Sequence, residues 1–175
     1  MDWYSSVFEV IDLRSFSNLW FWIALAVVWS SVSHWTLGVP YDMVLRARRQ
    51  GGQSEIDLEA ITRVNVNRLL YIARVSGVLL LWFVCFSLTG LAILAFWYWV
   101  EFAQALFLLG FPLTLVGAMS LSTAQGIERD ACQGAELRRR LGRLRMATQM
   151  LGALSIFVTA LWGMYQNLSI GVLGN

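Results

Sequence analysis

The chain has 175 residues, of which 58% are hydrophobic and only 14% charged, where an ordinary soluble domain carries about 25% charged residues. Nine Trp, ten Phe and five Tyr, with a mean hydropathy of +0.60, are more apolar surface than a soluble domain of this size can bury, so the apolar residues belong in membrane spans. Two cysteines and one histidine exclude a disulfide framework, a Cys-rich metal or cluster site, and a haem held between two histidines of this chain.

At the N-terminus, residues 1–17 place Trp3, Val7, Val10 and Ile11 on one side of a helix and Asp2, Glu9 and Arg14 on others, which predicts a helix lying along the membrane surface. No positive n-region or small-residue cleavage site marks a secretory signal, so the first apolar block is expected to stay in the membrane. That block, residues 18–39, has no charge and the roughly 20 residues that a bilayer core of about 30 Å demands. Pro40 is expected to end it.

The polar stretch over residues 40–74 follows. Ser54 with Asp57 three residues on resembles a capping box, which predicts a short helix from Ser54, with Ile56, Ala60, Ile61 and Val64 on one face. It is expected to run, with a bend near Asn65 and Asn67, into the second span. Between residues 75 and 124 the only charge is Glu101, and one helix of that length would far exceed the bilayer. Two spans, about 75–99 and 102–124, are therefore predicted, joined at Trp97-Tyr98-Trp99-Val100-Glu101, where aromatic rings and a carboxylate suit the interface. A second polar loop, about 125–147, contains Leu137, Leu141 and Leu144 on one face amid arginines and reads as an interfacial helix. A fourth span covers about 148–170.

The fold class expected is thus all-α: a polytopic membrane protein with four transmembrane helices and short interfacial helices, in one transmembrane domain. All 13 basic residues are arginines. Twelve of them fall in the two polar loops and one, Arg14, in the leading segment, so both loops are expected on the cytoplasmic side and both termini on the periplasmic side.

Few residues suggest chemistry. His34 is the one ionisable side chain well inside a span and shares a face with Ala26, Ser30 and Gly38, which makes it a candidate cofactor ligand or pH-sensitive contact. The alternative is a neutral ring bonded to a carbonyl or to Ser30. Gly110, Thr114, Ala118 and Ser122 repeat every four residues on the third span, as do Ser155, Thr159 and Gly163 on the fourth. Small residues at this spacing let helices approach closely, either each other or a partner's. Arg138, Arg139, Arg140, Arg143 and Arg145 are candidates for anionic lipid headgroups or for an acidic patch on a partner, the alternative being simple topological anchoring. No hydrolase, metalloprotease or phosphate-loop motif occurs, and the net charge of +2 without interleaved aromatics argues against nucleic acid. Catalysis, a metal and a resident cofactor are not expected.

The segments Asp2-Trp3-Tyr4-Ser5-Ser6, Ile11 to Trp20 and His34 to Val44 resemble small alphaproteobacterial four-helix inner-membrane proteins labelled "component of SufBCD complex". The resemblance covers most of the chain and brings no catalytic residues. It implies a bacterial inner-membrane protein. With Cys85 within the second span and Cys132 in a loop, a place beside an iron–sulfur assembly machine would be that of a membrane anchor. The expectation for function is a non-catalytic accessory, scaffold or assembly subunit of a larger inner-membrane complex, bound to lipids and to other membrane subunits. The alternatives are a small homo-oligomeric channel or carrier using His34, and a one-histidine haem or pigment site shared with a partner.

Overall fold

The computed structural model describes residues 15–173, and side chains over 16–168. The surface helix predicted for the N-terminus therefore lies almost wholly outside the described residues. A single 3-10 turn, Ser15–Ser17, leads into α1, Leu19–His34. Asn18 caps α1 by accepting the backbone N–H of Trp20 on its Oδ1 at 3.0 Å, satisfying a donor that the first helical turn leaves free.

The helix ends at His34, where the sequence predicts a span over residues 18–39. Trp35–Thr36 (β1) and Val39–Pro40 (β2) instead pair antiparallel, Thr36 opposite Val39. Leu37 and Gly38 between them have φ of 53° and 70°, the two positive values that a type I′ hairpin turn requires. Gly38 supplies one without steric cost, and burial of Leu37 in the core holds the other. The hairpin takes the place of the last helical turn, leaving α1 sixteen residues, about 24 Å, long.

After α2, Tyr41–Gln50, the chain turns at Gly51 and Gly52 into α3, Gln53–Phe96, a continuous helix of 44 residues. The helix begins one residue before Ser54 and is capped by Gly52. Ser54 donates to Gln50 rather than capping, and no break occurs at Asn65 or Asn67. A turn at Trp97–Val100 reverses direction at the predicted place, and α4 runs Glu101–Arg129. A second turn leads to α5, Gly134–Leu173, which is also continuous. The Arg138–Arg145 segment is therefore the first part of a 40-residue helix, not a separate interfacial one.

The molecule has two unlike halves. At the arginine-rich end Leu58, Thr62, Val66 and Leu70 recur every four residues on α3 and are buried. They share a core with Val44 and Ala47 of α2, Leu37 and Val39 of the hairpin, Ala124 and Ile127 of α4, and Leu137, Leu141 and Leu144 of α5. The leucine face expected to lie on lipid is thus packed against protein. Beyond Leu70 the pattern stops. No α3 side chain between Leu70 and Ala95 is buried among the described residues, although this helix has the most apolar 18-residue stretch of the chain, with mean hydropathy 2.5. Each large aliphatic side chain left in water forgoes about 1.5–3 kcal/mol, so this half needs an apolar surrounding.

Three helices, α3, α4 and α5, are long and apolar enough to cross a membrane. The fold is all-α in character and has the features of a membrane protein. Pro112 lies inside α4 and leaves the Leu108 carbonyl without its helical donor. Ser155 of α5 donates to that oxygen at 3.4 Å, while nearby Thr114 donates to Phe111.

Candidate functional site

The arginines that the sequence groups together are separated by their partners. Arg138 is paired with Glu55 of α3, both largely shielded, and Glu59 one turn on accepts the Gly134 N–H at 2.7 Å, so the start of α5 is fastened to the start of α3. Arg140 binds Asp130 and, at 3.3 Å, Glu136, bracing the α4–α5 turn. The hydrogen bonds from Arg140 and then Arg129 hold the Asp130 carboxyl below its ordinary value, and Asp130 with Glu136 raises that of Arg140. The Arg145 guanidinium carbon stands over the Tyr41 ring, 3.7 Å from its centroid, and the buried Nε meets no acceptor among the described residues. Arg143 is exposed, 3.6 Å from Glu136, and Arg139 is exposed with no ion pair among the described residues. Of the five candidate headgroup-binding arginines, three are committed to holding the helices together, Arg143 pairs with Glu136 of its own helix, and Arg139 points to no carboxylate among the described residues.

Arg74 begins the apolar part of α3 and pairs with Glu128 of α4. Side chains on a helix lean toward its N-terminus, which for α3 is the arginine-rich end, so the guanidinium reaches back toward water.

At the opposite end, side chains that the sequence scatters converge. Gln104 is fully buried. Its amide donates to the Ala95 carbonyl at 2.9 Å, across the turn between α3 and α4. Its Oε1 accepts from Trp162 Nε1 at 3.0 Å and from Gln166 Nε2 at 2.6 Å on α5. Close by, Glu101 accepts the Phe16 N–H at 2.7 Å, and Ser17 donates to Asn167. Three helices and the leading turn are tied at one level. The polar residues near the outer ends of these spans are the signal that could have suggested it, though they are 58 to 62 positions apart.

The two small-residue stripes do different things. Ser155, Thr159 and Gly163 are buried; Trp29 of α1 lies over neighbouring Gly152, and Phe16 of the leading turn with Trp22 of α1 lies over Gly163. The α4 stripe is only half used. Gly110 and Thr114 are partly covered, Ala118 and Ser122 are exposed, and nothing stands within 4 Å of where a Cβ on Gly110 or Gly117 would be. Apart from the Ser155–Leu108 bond, the stripes are not brought face to face.

His34 ends α1 with its ring exposed, edge-on to Trp35 at 5.9 Å between centroids. Ala26, Ser30 and Gly38, the residues sharing its face, are exposed too. Neither a carbonyl nor Ser30 accepts from the ring among the described residues. Cys85 is exposed on α3 and Cys132 lies at the α4–α5 turn. No group of three or more metal-ligating side chains occurs among the described residues.

A cleft of about 390 Å³ separates the first half of α3 from the α4–α5 turn, with Glu59, Arg63, Glu128 and Cys132 in its walls. Both its carboxylates already have partners, in Gly134 N–H and Arg74. No family model, curated protein or solved structure matches the chain. The geometry offers electrostatic and packing chemistry, distributed over an arginine-rich end, an apolar half and an outward row of small residues.

Proposed function

We propose that the chain is a four-span protein of the bacterial inner membrane that serves as a non-catalytic accessory or assembly subunit, with the outward row on α4 as the seat of a partner's helix. The observation that carries this reading is the contrast between the two stripes: the one on α5 is buried, with Phe16 and Trp22 of the same chain over Gly163, while the one on α4 is exposed at Ala118 and Ser122. In lipid, close approach between small residues is a main source of helix association, so an open row is surface suited to another helix.

Counting α1 as the fourth span is supported by its lack of charge and by its packing on the apolar half of α5. Exposed Trp20 and Trp35 at its two ends are placed as interfacial rings would be. At about 24 Å it is short, and a bilayer thins locally to meet such a helix at modest cost. Four spans put both termini on the periplasmic side and the twelve arginines of the α2–α3 and α4–α5 regions in the cytoplasm.

Extraction in mild detergent followed by native electrophoresis tests the function. An assembly larger than the monomer, lost in Ala118→Trp with Ser122→Trp, is the expected result. A lone monomer at every expression level would overturn it. With Cys85 and Cys132 replaced by Ser, a thiol introduced at Val100 should be labelled from the periplasm and one at Arg139 only after permeabilisation.

A second reading is favoured by the exposed face of Ala26, Ser30 and His34, which suits a homo-oligomer arranged around His34 as a small channel or carrier. Flux into liposomes that disappears in His34→Ala would select it.

A further inference from the structure

A groove of about 310 Å³ opens where the two halves of α3 meet, lined among others by Trp35, Leu37, Asn65, Arg68, Ile72 and Ser120. Its charge is unbalanced. Arg68 is exposed and has no ion pair among the described residues, and no carboxylate lines the groove. The 390 Å³ cleft differs in having Glu59 and Glu128 beside Arg63. Asn65 is occupied, its amide donating to the Gly38 carbonyl at 3.1 Å and closing the hairpin side. The groove is thus lined by one guanidinium, Ser120, a Trp indole that is half exposed, and the apolar side chains of Leu37 and Ile72.

The position along α3 identifies what such a groove would meet. From Arg68 to Trp97 the helix rises 29 residues, about 43 Å, which matches the thickness of a bilayer with its headgroups. Trp97, Tyr98 and Trp99, all exposed, form the aromatic layer at the far face. Arg68 then lies in the headgroup layer of the arginine-side leaflet, and Ile72, one turn on, at the beginning of the acyl region. The buried core ends at Leu70, between them.

We infer that this groove binds one anionic phospholipid, its phosphate against Arg68 and the start of an acyl chain along Ile72 beside Trp35. A free phosphate ion would make no use of the apolar floor. A zwitterionic lipid brings a cationic group that the groove has no carboxylate to receive. The inference moves lipid recognition away from the Arg138–Arg145 segment, where Arg138, Arg140 and Arg143 each face a carboxylate, and it rests on the membrane placement of α3 proposed above.

The test uses the full chain in neutral detergent, titrated with dioleoyl phosphatidylglycerol or dioleoyl phosphatidylcholine, with bound lipid counted by native mass spectrometry. One phosphatidylglycerol should bind about fivefold more tightly than phosphatidylcholine, the ratio to which about 1 kcal/mol per interfacial arginine converts. Arg68→Gln should remove the preference and Arg68→Lys keep most of it. Arg139→Gln with Arg143→Gln should leave it unchanged, and inorganic phosphate at the same concentration should not displace the lipid. A preference that survives Arg68→Gln, that is lost in the Arg139 and Arg143 variant, or that yields to inorganic phosphate would overturn the inference. A wild-type chain that is stable in water without detergent would instead overturn the membrane placement, so the two failures are told apart.

Discussion

The indole of Trp29 on α1 rests on Gly152 of α5 so closely that a Cβ at that glycine would stand 2.7 Å from Cε3 of the ring. The contact is with the fused edge of a rigid side chain that is itself buried. It fixes how near α1 can come to α5. Alanine at 152 would regain up to about 1 kcal/mol of helix propensity, while displacing the ring costs about 1–3 kcal/mol. Gly152→Ala is therefore expected to lose about 1 kcal/mol and Gly152→Val more, in unfolding titrations with sodium dodecyl sulfate from mixed micelles. Recovery in Gly152→Val with Trp29→Ala would trace the loss to this contact, and a stabilised Gly152→Val would contradict it.

Gln104 is the hub of the end opposite the arginines. Gln104→Leu keeps roughly the volume but removes the acceptor of Trp162 and of Gln166 and the donor to Ala95. Leaving buried polar groups without partners costs about 1–3 kcal/mol. The expected outcome in the same titration is a loss of that size, with the Trp162 indole N–H signal moving in NMR spectra. An unchanged indole signal would show that the bond is not formed.

The Glu55–Arg138 pair joins the starts of α3 and α5, and both side chains are less than a third exposed. A double-mutant cycle of Glu55→Gln and Arg138→Gln should return a coupling of about 1 kcal/mol, toward the upper end for pairs near a surface. Arg46 with Asp42, a 3.5 Å pair with both side chains more than half exposed, serves as the control and should give a coupling near zero.

Acid should loosen the α4–α5 turn. The Asp130 carboxyl is held below 3.8 by hydrogen bonds from Arg140 and Arg129, so at acid pH the unfolded chain binds the proton more readily than the folded one. Its contribution is complete above the unfolded-state value and is lost as the pH falls through the lower, folded-state value. The stability difference between wild type and Asp130→Asn should therefore be largest near neutral pH and shrink between about pH 5 and pH 3, as denaturation at stepped pH would record. A difference that grows on acidification would reverse the sign and exclude the pair as its cause.

The long apolar helices could be read in advance because charge is a coarse marker. From 75 to 124 only Glu101 interrupts, and the reversal falls where that carboxylate and three aromatic rings stand together. The end of α1 was not readable in the same way. Hydropathy cannot tell a helical turn from a two-residue hairpin, and Leu37 adopts its positive φ because the core across from it accepts its side chain. The leucine face at 137, 141 and 144 was read as interfacial for a related reason: it was visible, but Val44, Ala47 and Leu58, which share its core, come from distant parts of the chain. Pairings such as Glu55 with Arg138 lie 83 residues apart and leave no local trace.

The unbroken course of α3 makes it a lever. Eighteen of its residues, Gln53 to Leu70, stand outside the apolar half, a rod of about 27 Å. If α3 leans by about 10° to fit a thinner bilayer, the far tip swings sideways by about 5 Å with no hinge to absorb the motion. Glu55 and Glu59 at that tip grip the beginning of α5, so the swing drags a second rod with it and turns lipid thickness into a displacement of the arginine-rich end.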